Sequence, residues 1–312
     1  MPDSQSKQGM TWGLVLVGFG AMLFACKGLF AKALYARGVD SNTLVTVRAL
    51  IALPLFWSFA LLREGRAALA APSRTALLAA AAAGVICYFF GALVDFHALT
   101  LIDASIERVL LFGYPAFVVA ATAFMERRRP TDAVMAAVAL TWVGIFFSVG
   151  GFDLAKLRAN ATGGFYAILA GVSYGIYFLI GARFTRELGS ARFTLYAMTA
   201  SAAALATHFL VTGSVAAIVR YDPGTWLLLL AISTICMFVP ALLQAEGLRR
   251  VGAVRGAVVA TVGPPTTVIL AYWLLNERLT GWQVAGMLLI LAGILVLDLQ
   301  RNRLQPPPVP AE

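Results

Sequence analysis

VGAVRGAVVATVGPPTTVILAYWLLNERLTGWQVAGMLLILAG, from Val251 to Gly293, decides the fold. Two apolar runs flank a polar turn, Asn276-Glu277-Arg278, and Gly263-Pro264-Pro265 interrupts the first run. Each run suits a helix crossing about 30 Å of hydrocarbon, which takes about 20 apolar residues. A weaker copy of this hairpin runs from Ile102 to Gly144. In it Pro115, Thr131 and Gly144 stand for Pro264, Thr280 and Gly293, each pair 149 positions apart, as 115 is from 264. A hairpin that returns at constant offset marks an internally duplicated membrane protein.

The composition agrees. Of 312 residues, 60% are hydrophobic and only 12% charged, against roughly 25% charged in a soluble domain. Ten apolar runs are long enough to span, at about 11–34, 43–62, 76–99, 104–124, 131–150, 162–184, 192–213, 225–247, 253–275 and 281–299. The fold class is therefore an all-α polytopic membrane protein of ten transmembrane helices. The net charge of +9 does not point to nucleic acid here. Basic residues collect in alternate loops, as at Arg127-Arg128-Arg129, Arg249-Arg250, Arg301 and Arg303, which places those loops and both termini in the cytoplasm. Cys26, Cys87 and Cys236 all fall within apolar runs, with neither disulfide nor zinc spacing. The first run is too long for a signal-peptide core and is kept as a helix.

Residues 1–10 read as a disordered tail, 11–150 as a first five-helix repeat, 162–300 as a second and 301–312 as a disordered carboxy-terminal tail. The connections around Gly150–Ala161 and Gly213–Gly224 have room for no more than an interfacial turn. Gly13–Gly38 aligns without gaps to Gly164–Gly189, and Ala92–Ala104 aligns to Ala241–Ala253. Five spans per repeat is an odd number, so the second repeat is expected to cross the bilayer inverted, the architecture of secondary transporters. Pro54, Pro115, Pro240, Pro264 and Pro265 sit inside spans. Each removes a backbone donor and disturbs the preceding turn, which makes them the hinge candidates, Pro115 and Pro264 above all because they are mates.

Ionisable residues inside a membrane usually face a polar path or one another. Lys27, Arg48, Asp95, His97, Glu107 and Arg108 all fall toward the outer leaflet when 1.5 Å is counted per helical residue. Three cations against two carboxylates suit either a charge-compensated vestibule or an ion-pair network that locks helices. On the third span Gly84, Tyr88, Gly91 and Asp95 fall at i, i+4, i+7 and i+11, one helical stripe. A path with ammonium partners (Asp95, Glu246), carboxylate partners (Lys27, Arg108) and aromatic walls (Phe24, Tyr88, Tyr174, Tyr177, Phe178) suits an amino acid or a related metabolite. Gln244 stands in the second repeat where Asp95 stands in the first. His97, beside Asp95, is either a proton-relay member or a hydrogen-bonded structural residue. His97 and His208 lie in different halves, so no metal is expected, and nothing calls for a cofactor. No His-Glu-x-x-His or paired intramembrane aspartate favours an enzyme.

The chain resembles the drug/metabolite transporter superfamily in its EamA-like branch. The resemblance rests on ALTLIDAS (Ala98–Ser105), GLRRVGAV (Gly247–Val254) and GPPTTVILAYWLLNERLTGWQVAGMLLILAGILV (Gly263–Val296), and covers about residues 10–300. Within that branch it looks like the YddG-type aromatic amino acid exporters of bacterial inner membranes. The likeness implies a basket in which helices 1–4 and 6–9 surround a cavity and helices 5 and 10 brace it. It also implies export by alternating access, with a small solute and the lipid bilayer as partners. A monomer suffices for this, and the sequence leaves a dimer open. One departure stands out: Glu126 comes two residues early relative to Glu277, and an Arg run replaces the turn.

Overall fold

The computed structural model describes residues 3–65, 72–127, 131–244, 246–247, 250, 259 and 262–304. The start of the ninth expected span, most of the Gly247–Val254 junction and the end of the chain lie outside these residues. Helix starts are set by side chains that accept otherwise unbonded N–H groups. Asp40 accepts from Thr43 N at 2.9 Å, Ser73 from Ala76 N at 3.1 Å, and Asp222 from Gly224 N at 2.8 Å.

The elements are α1 (Asp3–Ala25), α2 (Lys27–Tyr35), α3 (Ser41–Glu64), α4 (Arg74–Gly84), α5 (Ala92–Leu101), α6 (Ala104–Leu111), α7 (Tyr114–Glu126) and α8 (Asp132–Val149). They continue with α9 (Leu154–Leu188), α10 (Ser190–Thr212), α11 (Val215–Val219), α12 (Pro223–Ser233), α13 (Gly263–Leu275) and α14 (Gly281–Leu304). Among the described residues every regular element is helical. Seven helices within them are long and apolar enough to cross a membrane, and Met135–Val149 and Gly281–Val296 are shorter apolar helices. The exterior is apolar too: Phe19, Leu62 and Phe124 are 54%, 87% and 85% exposed, as a bilayer-facing surface requires.

The 149-residue offset recurs in the elements themselves. α3 and α10 begin at 41 and 190, α4 and α12 at 74 and 223, α7 and α13 at 114 and 263, and α8 and α14 at 132 and 281. Two π-helical turns obey it as well: Val85–Gly91 joins α4 to α5, and Thr234–Phe238 follows α12. So do the two non-glycine residues with positive φ among those described, Arg127 (52°) and Asn276 (56°). The hinge backbone is thus repeated even though Glu126 and Glu277 are out of register.

Where mates touch, they run antiparallel. A Cβ on Gly144 would strike Gly286 O, and one on Gly293 would strike Ala137 O, each at 2.7 Å. These contacts exchange under the 149 offset, so α8 and α14 cross about a two-fold through glycines that let the backbones meet. α3 and α10 also pair head to tail, with Asn42 bonded to Thr212 at 3.0 Å and Trp57 to Thr199 at 3.1 Å.

Several expectations are corrected. α1 reaches back to Asp3, within the tail read as disordered, and α14 runs on to Leu304. The connection after Gly150 is short because α9 already starts at Leu154 and extends for 35 residues. The first span is broken at Cys26, and Thr267 Oγ1 satisfies the carbonyl of Ala25 at 3.0 Å. Of the hinge candidates, Pro115 follows a break at Phe112-Gly113, and Pro264-Pro265 open α13. Pro240 follows the second π turn. Pro54 lies inside α3, which continues through it.

Glu277 explains why the α13–α14 turn carries an acid. Its carboxylate accepts from Ala104 N at 2.8 Å, Ser105 N at 3.1 Å and Ser105 Oγ at 2.7 Å. It therefore caps α6, where N–H groups and the helix dipole both favour an anion. Glu277→Ala is expected to remove about 1–2 kcal/mol of stability, read as a lower thermal midpoint in detergent. Glu277→Gln, which still accepts hydrogen bonds, should lose less. Equal losses for the two variants would rule out an anionic cap.

Candidate functional site

The breaks, π turns and caps bring five charges together. Lys27 opens α2, and its ammonium donates to Asp95 Oδ2 on α5 at 2.5 Å and to Glu107 Oε1 on α6 at 3.1 Å. The three residues are 6%, 4% and 1% exposed, so no bulk water screens them and each charge depends on its neighbours. Arg48 on α3 lays its guanidinium 4.5 Å from the centre of the buried Phe96 ring, and the Lys27 ammonium lies 5.2 Å from that ring. Tyr35 OH fixes the same turn by donating to Phe96 O at 2.7 Å. Arg108 is buried with its guanidinium 5.3 Å from the Phe112 ring. Such contacts contribute about 0.5–2 kcal/mol each. Lys27, Asp95 and Glu107 thus form an ion-pair network.

Beside the charges lies an aromatic cluster. Tyr88 sits 5.1 Å from Tyr177 and 6.5 Å from Tyr174, ring centre to ring centre. Tyr177 shares a 3.0 Å hydrogen bond with Thr194. Tyr88 also lines a cavity of about 10 Å³ together with Arg48, Ala49, Leu53, Met198, Ser201 and Met237, about the room one water needs. Ala49 and Met198 are mates under the 149 offset, as are Tyr88 and Met237. The cavity therefore sits where the two halves are related to each other.

Other candidates are placed elsewhere. His97 is exposed and packs edge-on against Tyr166 at 5.0 Å, two residues along the helix from the buried Asp95. Glu246 is bonded to Arg250, four residues on, at 2.7 Å, while Lys27 is held by Asp95 and Glu107. Phe178, 45% exposed, is the exception: it stacks on Tyr114 at 5.2 Å and meets Tyr177 edge-on at 5.8 Å, which joins it to the aromatic cluster. Phe24 is half-buried in the last turn of α1. Gln244 packs near Gly20, whose added Cβ would lie 3.0 Å from Gln244 Cγ.

The single stripe expected from Gly84 to Asp95 is also redirected. Gly84 abuts the backbone of Ala197 on α10, Gly91 abuts Ser173 on α9, and Asp95 reaches Lys27 on α2. A π turn holds one residue more than an α turn, so the helix beyond it is rotated by about 100° against a continuous one. Arg48 and Glu107 are legible in the sequence as intramembrane charges. Ser201 and Met237, an ordinary serine and methionine in apolar runs, give no local signal.

The sequence model of the EamA-like transporter family matches residues 11–150 and again 161–298. The chain belongs to this family. The uncharacterized transporter YcbK of Bacillus subtilis is 30% identical over 285 residues, covering 88% of each chain. The uncharacterized inner membrane transporter YicL of Salmonella typhimurium is 22% identical, covering 93% of this chain and 96% of its own. A solved crystal structure superposes with a TM-score of 0.63 at 19% identity, over 93% of this chain and 99% of that one, a likeness of fold. Family membership and the apolar exterior make this a membrane transporter.

Proposed function

We propose that the protein exports amino acids, aromatic ones favoured, or closely related metabolites from the cytoplasm across the bacterial inner membrane. Ten spans form two five-helix repeats, inverted relative to each other, with both termini in the cytoplasm. The observation that carries this reading is the cavity between the antiparallel halves, lined by mate residues and flanked by buried charges and tyrosines. Antiparallel mates support inversion. The charges suit the two ends of a zwitterion, and the tyrosines suit an aromatic body. Breaks before Pro115 and Pro264 supply the bends about which the halves rock between openings.

The test is a competition panel in proteoliposomes holding the purified protein, with and without a pH gradient. Aromatic amino acids should compete best for flux. Competition by nucleobases or simple amines alone would move the substrate to that class and end the amino-acid reading. A second expected result concerns Tyr88. Tyr88→Leu keeps apolar bulk but removes the ring, and should lower apparent affinity for aromatic substrates about three- to tenfold, the worth of one aromatic contact. Affinity for aliphatic amino acids should hardly change. Equal losses for both kinds of substrate would take Tyr88 out of the side-chain slot.

A further inference from the structure

Two polar atoms at the cavity between the halves have nothing to bond. Arg48 Nε and Ser201 Oγ are buried without a hydrogen-bond partner, and both residues line the same cavity. The residues are 8% and 1% exposed, so bulk solvent does not serve them. Buried polar groups are nearly always paired, and a pair left open at one place calls for a reason. The flat face of Arg48 is already spent on Phe96 at 4.5 Å, which leaves the edge of the guanidinium. That edge is a donor, and the serine hydroxyl can donate as well. An acceptor seated in this cavity would satisfy both.

Charge points the same way. Among the described residues, Lys27, Arg48 and Arg108 oppose Asp95 and Glu107, so one positive charge there lacks a counter-charge. Lys27 is already committed to both carboxylates. A carboxylate matches the planar geometry of a guanidinium edge and brings the missing negative charge. Met198 and Met237 form the adjoining walls, and methionine is the side chain that adapts most easily when a space must widen. Arg48 comes from the first half and Ser201 from the second.

We propose that the carboxylate of the transported solute docks between Arg48 Nε and Ser201 Oγ, bridging the two halves, and that a carboxylate is therefore obligatory in a substrate. This rests on the transport reading above and deepens it. Ser201 separates binding from stability: its hydroxyl is unpaired without solute, so its removal should not weaken the empty protein.

The experiment measures thermal midpoints of the purified full-length protein with matched probes: phenylalanine, phenylpropionate and phenethylamine, then leucine, isocaproate and isoamylamine. Carboxylate-bearing probes should raise the midpoint, and the two amines should not. Ser201→Ala should leave the empty protein's midpoint unchanged or higher while weakening carboxylate binding about three- to tenfold. Arg48→Lys, which keeps the charge and loses the edge, should weaken it at least about tenfold. Stabilisation by amines equal to that by acids would overturn the proposal. So would wild-type carboxylate affinity in Ser201→Ala, or no shift with any carboxylate. If the aliphatic acids bind and the aromatic ones do not, the aromatic preference fails while the carboxylate site stands. If only amines are bound and carried, the site fails while transport stands.

Discussion

Lys27→Met is expected to leave little folded protein. Its ammonium is held between Asp95 and Glu107, and all three side chains are at least nine-tenths buried. Without the ammonium, two carboxylates face each other with no water to screen them. Removing one partner from a buried ion pair costs about 3–5 kcal/mol, a large share of the roughly 5–15 kcal/mol that holds a typical domain folded. The loss is read as a collapse of the monodisperse peak after detergent extraction. Replacing the whole cluster is a different matter, because neutral groups of similar shape carry no buried charge. Lys27→Met with Asp95→Asn and Glu107→Gln should recover most of the folded yield. Its flux should stay at background, since the acid that meets the solute's ammonium is gone while Arg48 and Ser201 remain. A triple variant that transports like the wild type would reduce the cluster to a mere brace between helices.

The helices and the duplication are legible in the sequence because both depend on local pattern. Apolar runs of span length predict membrane helices wherever they occur, and the 149-residue offset read from Pro115 and Pro264 returns in the helix starts, the π turns and the positive-φ residues. Lys27, Arg48, Asp95, Glu107 and Arg108 are conspicuous because charge in an apolar run is expensive. The illegible part depends on rotation and on distant partners. His97 sits two residues from Asp95, yet it faces outward while Asp95 is buried. Glu246 is captured by Arg250 one turn away, a competition that composition does not reveal. Glu277 caps a helix start 173 residues earlier in the chain, so its role has no local trace. Ser201 matters for a bond it lacks, which only the packed structure exposes.

Deleting one residue from the first π turn tests whether that turn sets the phase of the site. Removal of Phe90, an exposed ring in Val85–Gly91, should restore an ordinary helix from Arg74 to Leu101. Everything after the deletion then turns by about 100°. Asp95 would leave Lys27 and face a neighbouring helix or the lipid, stranding an acid and leaving Lys27 with Glu107 alone. The expected result is loss of transport together with a steep fall in folded yield, since an uncompensated buried charge is among the few single defects that unfold a protein. A deletion within the second π turn, of Ile235 in Thr234–Phe238, rotates Pro240 and Gln244 instead. It disturbs the packing against Gly20 and turns the wall containing Met237, but it moves none of the five clustered charges. It should abolish flux while keeping far more folded protein than the Phe90 deletion. Similar midpoints for the two deletions would mean that the π turns are incidental to the site. A clear gap between them would show that the extra residue in the first repeat carries Asp95 to the ammonium, and that the duplicated architecture has been put to unequal use in its two halves.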